Sequence, residues 1–203
     1  MRRNRPVYIL CLVVPAFLLF ACRSSRKLTA DYYYENEAAL TSIEKAYASL
    51  YKQRPFSVEF IDKGFNYVSL MLQSNRIKYI YEFELNEPRL QDTLARYQMD
   101  SAAIMKMIRQ MKDIQCVWIN NLDYYVDEQK RSMIFMSLRT VPPRIPFAEK
   151  KYYILTFFNQ PQFFDNQGRL LANRRQRRLR KIDDNFFQRI NDRVCYTISE
   201  RFR

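Results

Sequence analysis

The chain has 203 residues and a formal charge of +13, with no histidine, two glycines and four cysteines. Without histidine, Ser-His-Asp and Cys-His catalysis are excluded, and so are His-based zinc and iron sites. Gly64 and Gly168 alone cannot build a phosphate-cradling loop, a dinucleotide fingerprint or a nucleophile elbow.

Arg2, Arg3 and Arg5 precede an apolar run from Val7 to Ala21, and small Ala21 stands before Cys22. Charge, apolar stretch and small residue in that order predict a secretory signal. The run is shorter than the roughly 20 residues a bilayer-spanning helix needs, and Pro15 interrupts it. Leu19-Phe20-Ala21-Cys22 resembles the lipobox of bacterial lipoproteins, with Leu at −3, a small residue at −1 and the obligatory Cys. Phe20 at −2 is bulkier than usual. The resemblance covers the first tenth of the chain. It implies a diacylglyceryl group on the Cys22 thiol, cleavage between Ala21 and Cys22, and acylation, as by palmitate, of the new amino terminus. Two or more acyl chains anchor a protein stably. Arg23, where Asp would mark inner-membrane retention, implies the periplasmic face of the outer membrane. The expected layout is a signal peptide over 1–21, a lipidated Cys and basic tether over 22–30, and a single α+β domain over 31–203.

Removing Arg2, Arg3 and Arg5 with the signal leaves a formal charge of +10. A basic balance often signals nucleic acid, but an exported protein seldom meets any. Anionic headgroups, peptidoglycan carboxylates or an acidic partner protein fit better. Cys11 leaves with the signal and the lipid uses Cys22. Cys116 and Cys195 then either pair in an oxidising periplasm, adding about 4–5 kcal/mol in the chain-entropy model, or remain two buried apolar thiols.

In chain order, Tyr32-Tyr33-Tyr34 leads into a helix over Glu35–Lys52, with Ala39, Ile43, Ala46, Tyr47 and Leu50 at helical spacing and Pro55 ending it. Ser24–Lys27 and Ser42–Lys45 have the Ser-x-x-Lys spacing of penicillin-binding proteins. The companion Ser-Asp-Asn and Lys-Thr-Gly elements are missing, so neither is a site. Strands follow over Phe56–Ile61, Phe65–Leu72 and Arg76–Leu85, with turns at Lys63-Gly64 and Ser74-Asn75. The third alternates Ile77, Tyr79, Tyr81, Phe83 and Leu85 with charged Arg76, Lys78, Glu82 and Glu84, which predicts one wet face. Glu82 and Glu84 lie among basic residues there and read as a solvated face rather than an acid–base pair.

Asn86-Glu87-Pro88 starts a helix, and Asp100 caps the next. Ile104, Met107, Ile108 and Met111 form the apolar face of that second helix, with Met105 exposed. Strands are predicted over Ile114–Ile119, Leu122–Val126, Ser132–Leu138 and Lys151–Phe158. Val141–Pro146 reads as a stiff connection and Asp165–Gly168 as a hairpin turn. Arg174–Lys181 is the most basic stretch, and Arg174, Arg175, Arg177, Arg178, Arg180 and Lys181 are the candidates for holding an anionic partner. Phe187, Ile190, Val194 and Ile198 predict a terminal amphipathic helix over Ile182–Phe202.

The expectation is an α+β fold, a largely antiparallel sheet of about six to eight strands covered by helices, with the C-terminal helix packed back on it. No catalytic set, metal site or cofactor is expected. The chain reads as a non-enzymatic, lipid-anchored envelope protein that binds a protein partner or cell-wall component. An accessory lipoprotein of an envelope assembly or secretion apparatus is one form of it. The aromatic pairs Tyr124-Tyr125, Tyr152-Tyr153, Phe157-Phe158 and Phe163-Phe164 are either its interface or a doubly buried sheet. The alternative is a periplasmic carrier of a lipid or other apolar ligand.

Overall fold

The computed structural model describes residues 30–74, 76–126, 129–139, 152–162 and 187–199. Met1–Glu37 and Ala38–Arg203 form two compact units. In the first, the tyrosine triplet lies on a helical stretch over 30–35. The Asn36 side-chain amide donates to the Tyr32 carbonyl at 3.0 Å. Tyr33 is buried and Tyr34 exposed. The signal run, Cys22, Val141–Pro146, Asp165–Gly168 and Arg174–Lys181 lie outside the described residues.

All but the first residue of α1 (Glu37–Gln53) belongs to the second unit, and its Leu40, Ile43, Glu44, Tyr47 and Leu50 recur at three- and four-residue steps and are buried. Pro55 cannot continue the helix. β1 (Phe56–Phe60), β2 (Tyr67–Ser74) and β3 (Ile77–Glu84) then run as an antiparallel meander. Asp62 shapes the first turn. Its Oδ1 accepts from the backbone N–H groups of Asn66 and Tyr67, and its Oδ2 from that of Gly64. Two helices return the chain across the sheet. α2 (Pro88–Arg96) has Pro88 in its first turn, and α3 (Ser101–Asp113) is capped by Asp100, whose carboxylate accepts from Ala103 N–H at 2.9 Å. Met105, expected to be exposed, is buried on α3 with Ile104, Met107, Ile108 and Met111. An apolar face of adjacent 104/105 and 107/108 positions is wider than one stripe, so this helix sinks deeper than its spacing alone implied.

β4 (Cys116–Val126) then pairs beside β1, and β5 (Gln129–Arg139), β6 (Tyr152–Phe158), β7 (Gln188–Arg189) and β8 (Val194–Ser199) complete an eight-stranded sheet of order β3-β2-β1-β4-β5-β6-β8-β7. Every pairing is antiparallel. The two segments expected over 114–119 and 122–126 are one continuous strand with an irregularity between Cys116 and Trp118.

The predicted C-terminal helix is absent over 187–199, which are strand and turn. Val194, Tyr196 and Ile198 alternate as well as falling near helical spacing, and β-branched and aromatic residues fit a pleated surface. Asn191 Oδ1 accepts from the N–H groups of Arg193 and Val194, a side-chain turn that competes with helix. Six registers with β6, from Tyr152↔Ser199 to Phe157↔Val194, then satisfy the backbone.

Alternate residues of a strand share a face. The register puts Phe56, Val58, Leu70, Tyr81, Phe83 and Ile119 on one side. This is the helix-covered face, because Tyr47 of α1 packs on Phe56 with ring centroids 5.0 Å apart and Tyr97, at the end of α2, meets Tyr81. The reverse face has a second, smaller core at the far end, where Met133, Phe158, Phe187 and Cys195 pack together with Leu122 and Phe135.

Tyr47 also enters the backbone ladder. β1 and β4 pair at Val58↔Ile119 and Glu59↔Trp118. Two residues further in the same register, Phe56 would face Asn121. There the Tyr47 hydroxyl donates to the Phe56 carbonyl, and the Asn121 backbone N–H bonds to the hydroxyl oxygen. Burial pushes this hydroxyl well above its ordinary pKa range, so it stays protonated and able to donate.

Candidate interaction surface

β3 is the outermost strand on one side of the sheet, and among the described residues it pairs only with β2. Its register, from Tyr67↔Glu84 to Ser74↔Ile77, is unbroken. It therefore has no bulge, and it contains no proline. An edge of this kind presents a row of backbone donors and acceptors that can receive another strand. The opposite edge, β7, is only two residues long.

The side chains add apolar surface. Lys78, Ile80, Glu82 and Glu84 share the reverse face, and Ile77, Tyr79, Tyr81 and Phe83 the helix face. Ile80 is 65% exposed and Ile77 54%, whereas Phe83 is buried. The helix side of the edge is pinned. The Tyr81 and Tyr97 hydroxyls lie 2.6 Å apart, and the Tyr79 and Tyr81 rings sit 6.1 and 6.0 Å from that of Tyr97. The Arg54 guanidinium lies 5.6 Å from the Tyr97 ring centroid, a cation–π arrangement. The hydrogen bond with Tyr81 holds the Tyr97 hydroxyl above its ordinary pKa range.

Sequence reasoning found this strand and its charged face but missed its exposure. Ile77 and Tyr79 alternate with charges and were expected to be buried, yet an edge strand has a neighbour on one side only. Ile80, apolar among Lys78, Glu82 and Glu84, was the signal to follow. Glu82 and Glu84 are exposed, as a solvated face requires.

The aromatic pairs do not form a second surface where the structure describes them. Phe157 and Phe158 are both buried on opposite faces of β6, and Tyr152 and Tyr153 are half-buried. This is the doubly covered sheet. Tyr124 and Tyr125 lie on β4, and Phe163 and Phe164 fall outside the described residues.

Cys116 and Cys195 are buried thiols, not a disulfide. Cys116 lies opposite Leu138 on the helix face, and Cys195 opposite Thr156 on the reverse face. With β5 and β6 between their strands, three strand spacings separate them by about 14 Å, far beyond disulfide reach. Burial pushes the Cys116 thiol up to about 12, which suppresses the reactive thiolate. Maleimide is therefore expected to leave both thiols unmodified in the folded protein and to label both in denaturant, as read by intact mass. Rapid native labelling of either would contradict this packing.

A cleft lined by Leu50, Gln53, Arg54, Gln98, Met99, Asp100 and Ile104 has a volume of about 130 Å³, below the roughly 300–1,000 Å³ of ligand pockets. Among the described residues no three His, Cys, Asp or Glu side chains group to hold a metal ion. No described helix is long and apolar enough to cross a membrane. No family model, curated protein or solved structure matches the chain.

Proposed function

We propose that this is a non-enzymatic cell-envelope protein, anchored by lipid on Cys22 at the periplasmic face of the outer membrane, whose folded domain docks a protein partner along β3. The observation carrying the docking half is the unbroken edge strand with exposed Ile77, Tyr79 and Ile80, since strand addition draws affinity from main-chain hydrogen bonds and specificity from alternate side chains. The lipobox residues carry the anchor. Arg174, Arg175, Arg177, Arg178, Arg180 and Lys181 supply long-range attraction for an acidic partner or anionic headgroups. An accessory lipoprotein of an envelope assembly or secretion apparatus is the concrete form this reading takes, by analogy.

The test is in-cell cross-linking and pull-down of the tagged protein beside an Ile77→Lys/Ile80→Lys variant, whose folding is checked by circular dichroism. A fixed set of proteins that the variant loses is the expected result. Undiminished capture by the variant would remove β3 from the interface, and recovery of lipid or peptidoglycan fragments alone would overturn the protein-partner reading.

A further inference from the structure

We infer that β3 pairs with β3 of a second copy of this chain, antiparallel about a two-fold axis at Ile80, joining two eight-stranded sheets edge to edge. The inference rests on the reading of β3 as a docking edge and names its occupant.

It follows from the order of residues along the strand. A two-fold contact is self-complementary: if residue i faces residue j, then j faces i. Antiparallel pairing that keeps both sheets' faces aligned must also match positions of like parity. With Ile80 opposite itself, the reverse face of the paired strands sets Lys78 against Glu82, a pair that occurs twice. Lys78 and Glu82 each meet an opposite charge, Glu84 lies beside the turn before the partner's strand, and exposed Ile80 meets its own copy. On the helix face, Ile77 comes opposite Phe83 and Tyr79 opposite Tyr81, so apolar and aromatic groups meet throughout. Aromatic, β-branched and opposite-charge cross-strand pairs are the ones that stabilise sheets.

The neighbouring registers are poorer. Sliding the axis to Tyr81 puts Ile80 against Glu82. Sliding it to Tyr79 puts Ile80 against Lys78 and leaves Glu82, Phe83 and Glu84 beyond the partner's strand, against Glu84 alone in the Ile80-centred register. Only the Ile80-centred register satisfies both faces, and a face pattern that specifies one register resists slippage. The strand also lacks the bulge or proline that commonly blunts a sheet edge.

The test uses the full-length mature protein in detergent. Ile80→Cys is expected to form a disulfide-linked dimer under mild copper-phenanthroline oxidation. Glu84→Cys should not, because eight residues along the pairing put its two copies about 26 Å apart. Lys78→Glu should reduce chemical cross-linking of the dimer, and Lys78→Glu with Glu82→Lys should restore it. Equal cross-linking of Ile80→Cys and Glu84→Cys, absence of linkage at Ile80→Cys, or failure of the paired swap would each overturn the self-pairing. If self-pairing fails while in-cell capture still depends on Ile77 and Ile80, the docking edge stands and its occupant is a different protein. If capture is also indifferent to them, both readings fall.

Discussion

Tyr47→Phe is expected to destabilise the folded domain by about 1–3 kcal/mol, the cost of stranding buried polar partners. The ring stays apolar and its packing on Phe56 is kept, so cavity formation is a minor contribution. What is lost is the hydroxyl bridging the Phe56 carbonyl and the Asn121 N–H where the β1–β4 ladder opens. Those two groups lie between the central strands, where water cannot readily replace the hydroxyl. In a domain of this size each kcal/mol corresponds to about 2–4 °C in Tm. Tyr51→Phe is the control, since its ring lies 5.7 Å from that of Tyr47 but no hydrogen bond of its hydroxyl is seen. Urea midpoints measured for both should separate them clearly. Equal midpoints would mean that the bridging hydroxyl contributes nothing net.

Arg193→Ala should be the other costly single change, at about 1–2 kcal/mol. Hydrogen bonds to charged groups contribute about 1.5–3 kcal/mol, and the figure is lowered because the arginine is half exposed and partly screened. Arg193 lies in the turn before β8. Its Nη2 is 3.3 Å from Glu44 Oε1 on α1, and its Nε donates to the Phe158 carbonyl at 3.0 Å. Its own carbonyl accepts from the Phe158 N–H at 2.8 Å. One residue thus ties the first helix to β6 and the terminal hairpin. Alanine would leave a nearly buried Glu44 carboxylate without its guanidinium, and removing one partner costs more than the pair contributes. Arg89→Ala is the comparison, because its bond to Glu87 is exposed and should be worth well under 1 kcal/mol. Urea titration of the two variants decides the matter. Equal losses would show that the Glu44 contact is no more than a surface pair. A cycle with Glu44→Ala isolates the coupling.

Local signals carried most of the first half of the fold. α1, the β1–β3 meander, the Pro88 start of α2 and the Asp100 cap each follow from a turn residue, a cap or a period that short stretches contain. The failures occurred where partners distant in sequence decide. Phe187, Ile190, Val194 and Ile198 satisfy a helical period, but pairing with β6, some forty residues earlier, makes Val194–Ser199 a strand. Cys116 and Cys195 could not be placed on opposite faces until β4 through β8 were ordered. The exposure of Ile80 likewise depends on β3 lying at the edge, a property of the strand order rather than of the strand. The proposed anchor rests on a linear pattern, Leu19-Phe20-Ala21-Cys22, in which no tertiary contact is involved.

Everything proposed for this chain depends on where it is held, so the most direct measurement is mass spectrometry of its mature amino-terminal peptide, alongside metabolic palmitate labelling of the wild type and Cys22→Ala. The account predicts a peptide beginning at Cys22 and carrying acyl chains, with label and membrane association both lost in Cys22→Ala. An unprocessed Met1 terminus, or label that survives Cys22→Ala, would contradict it.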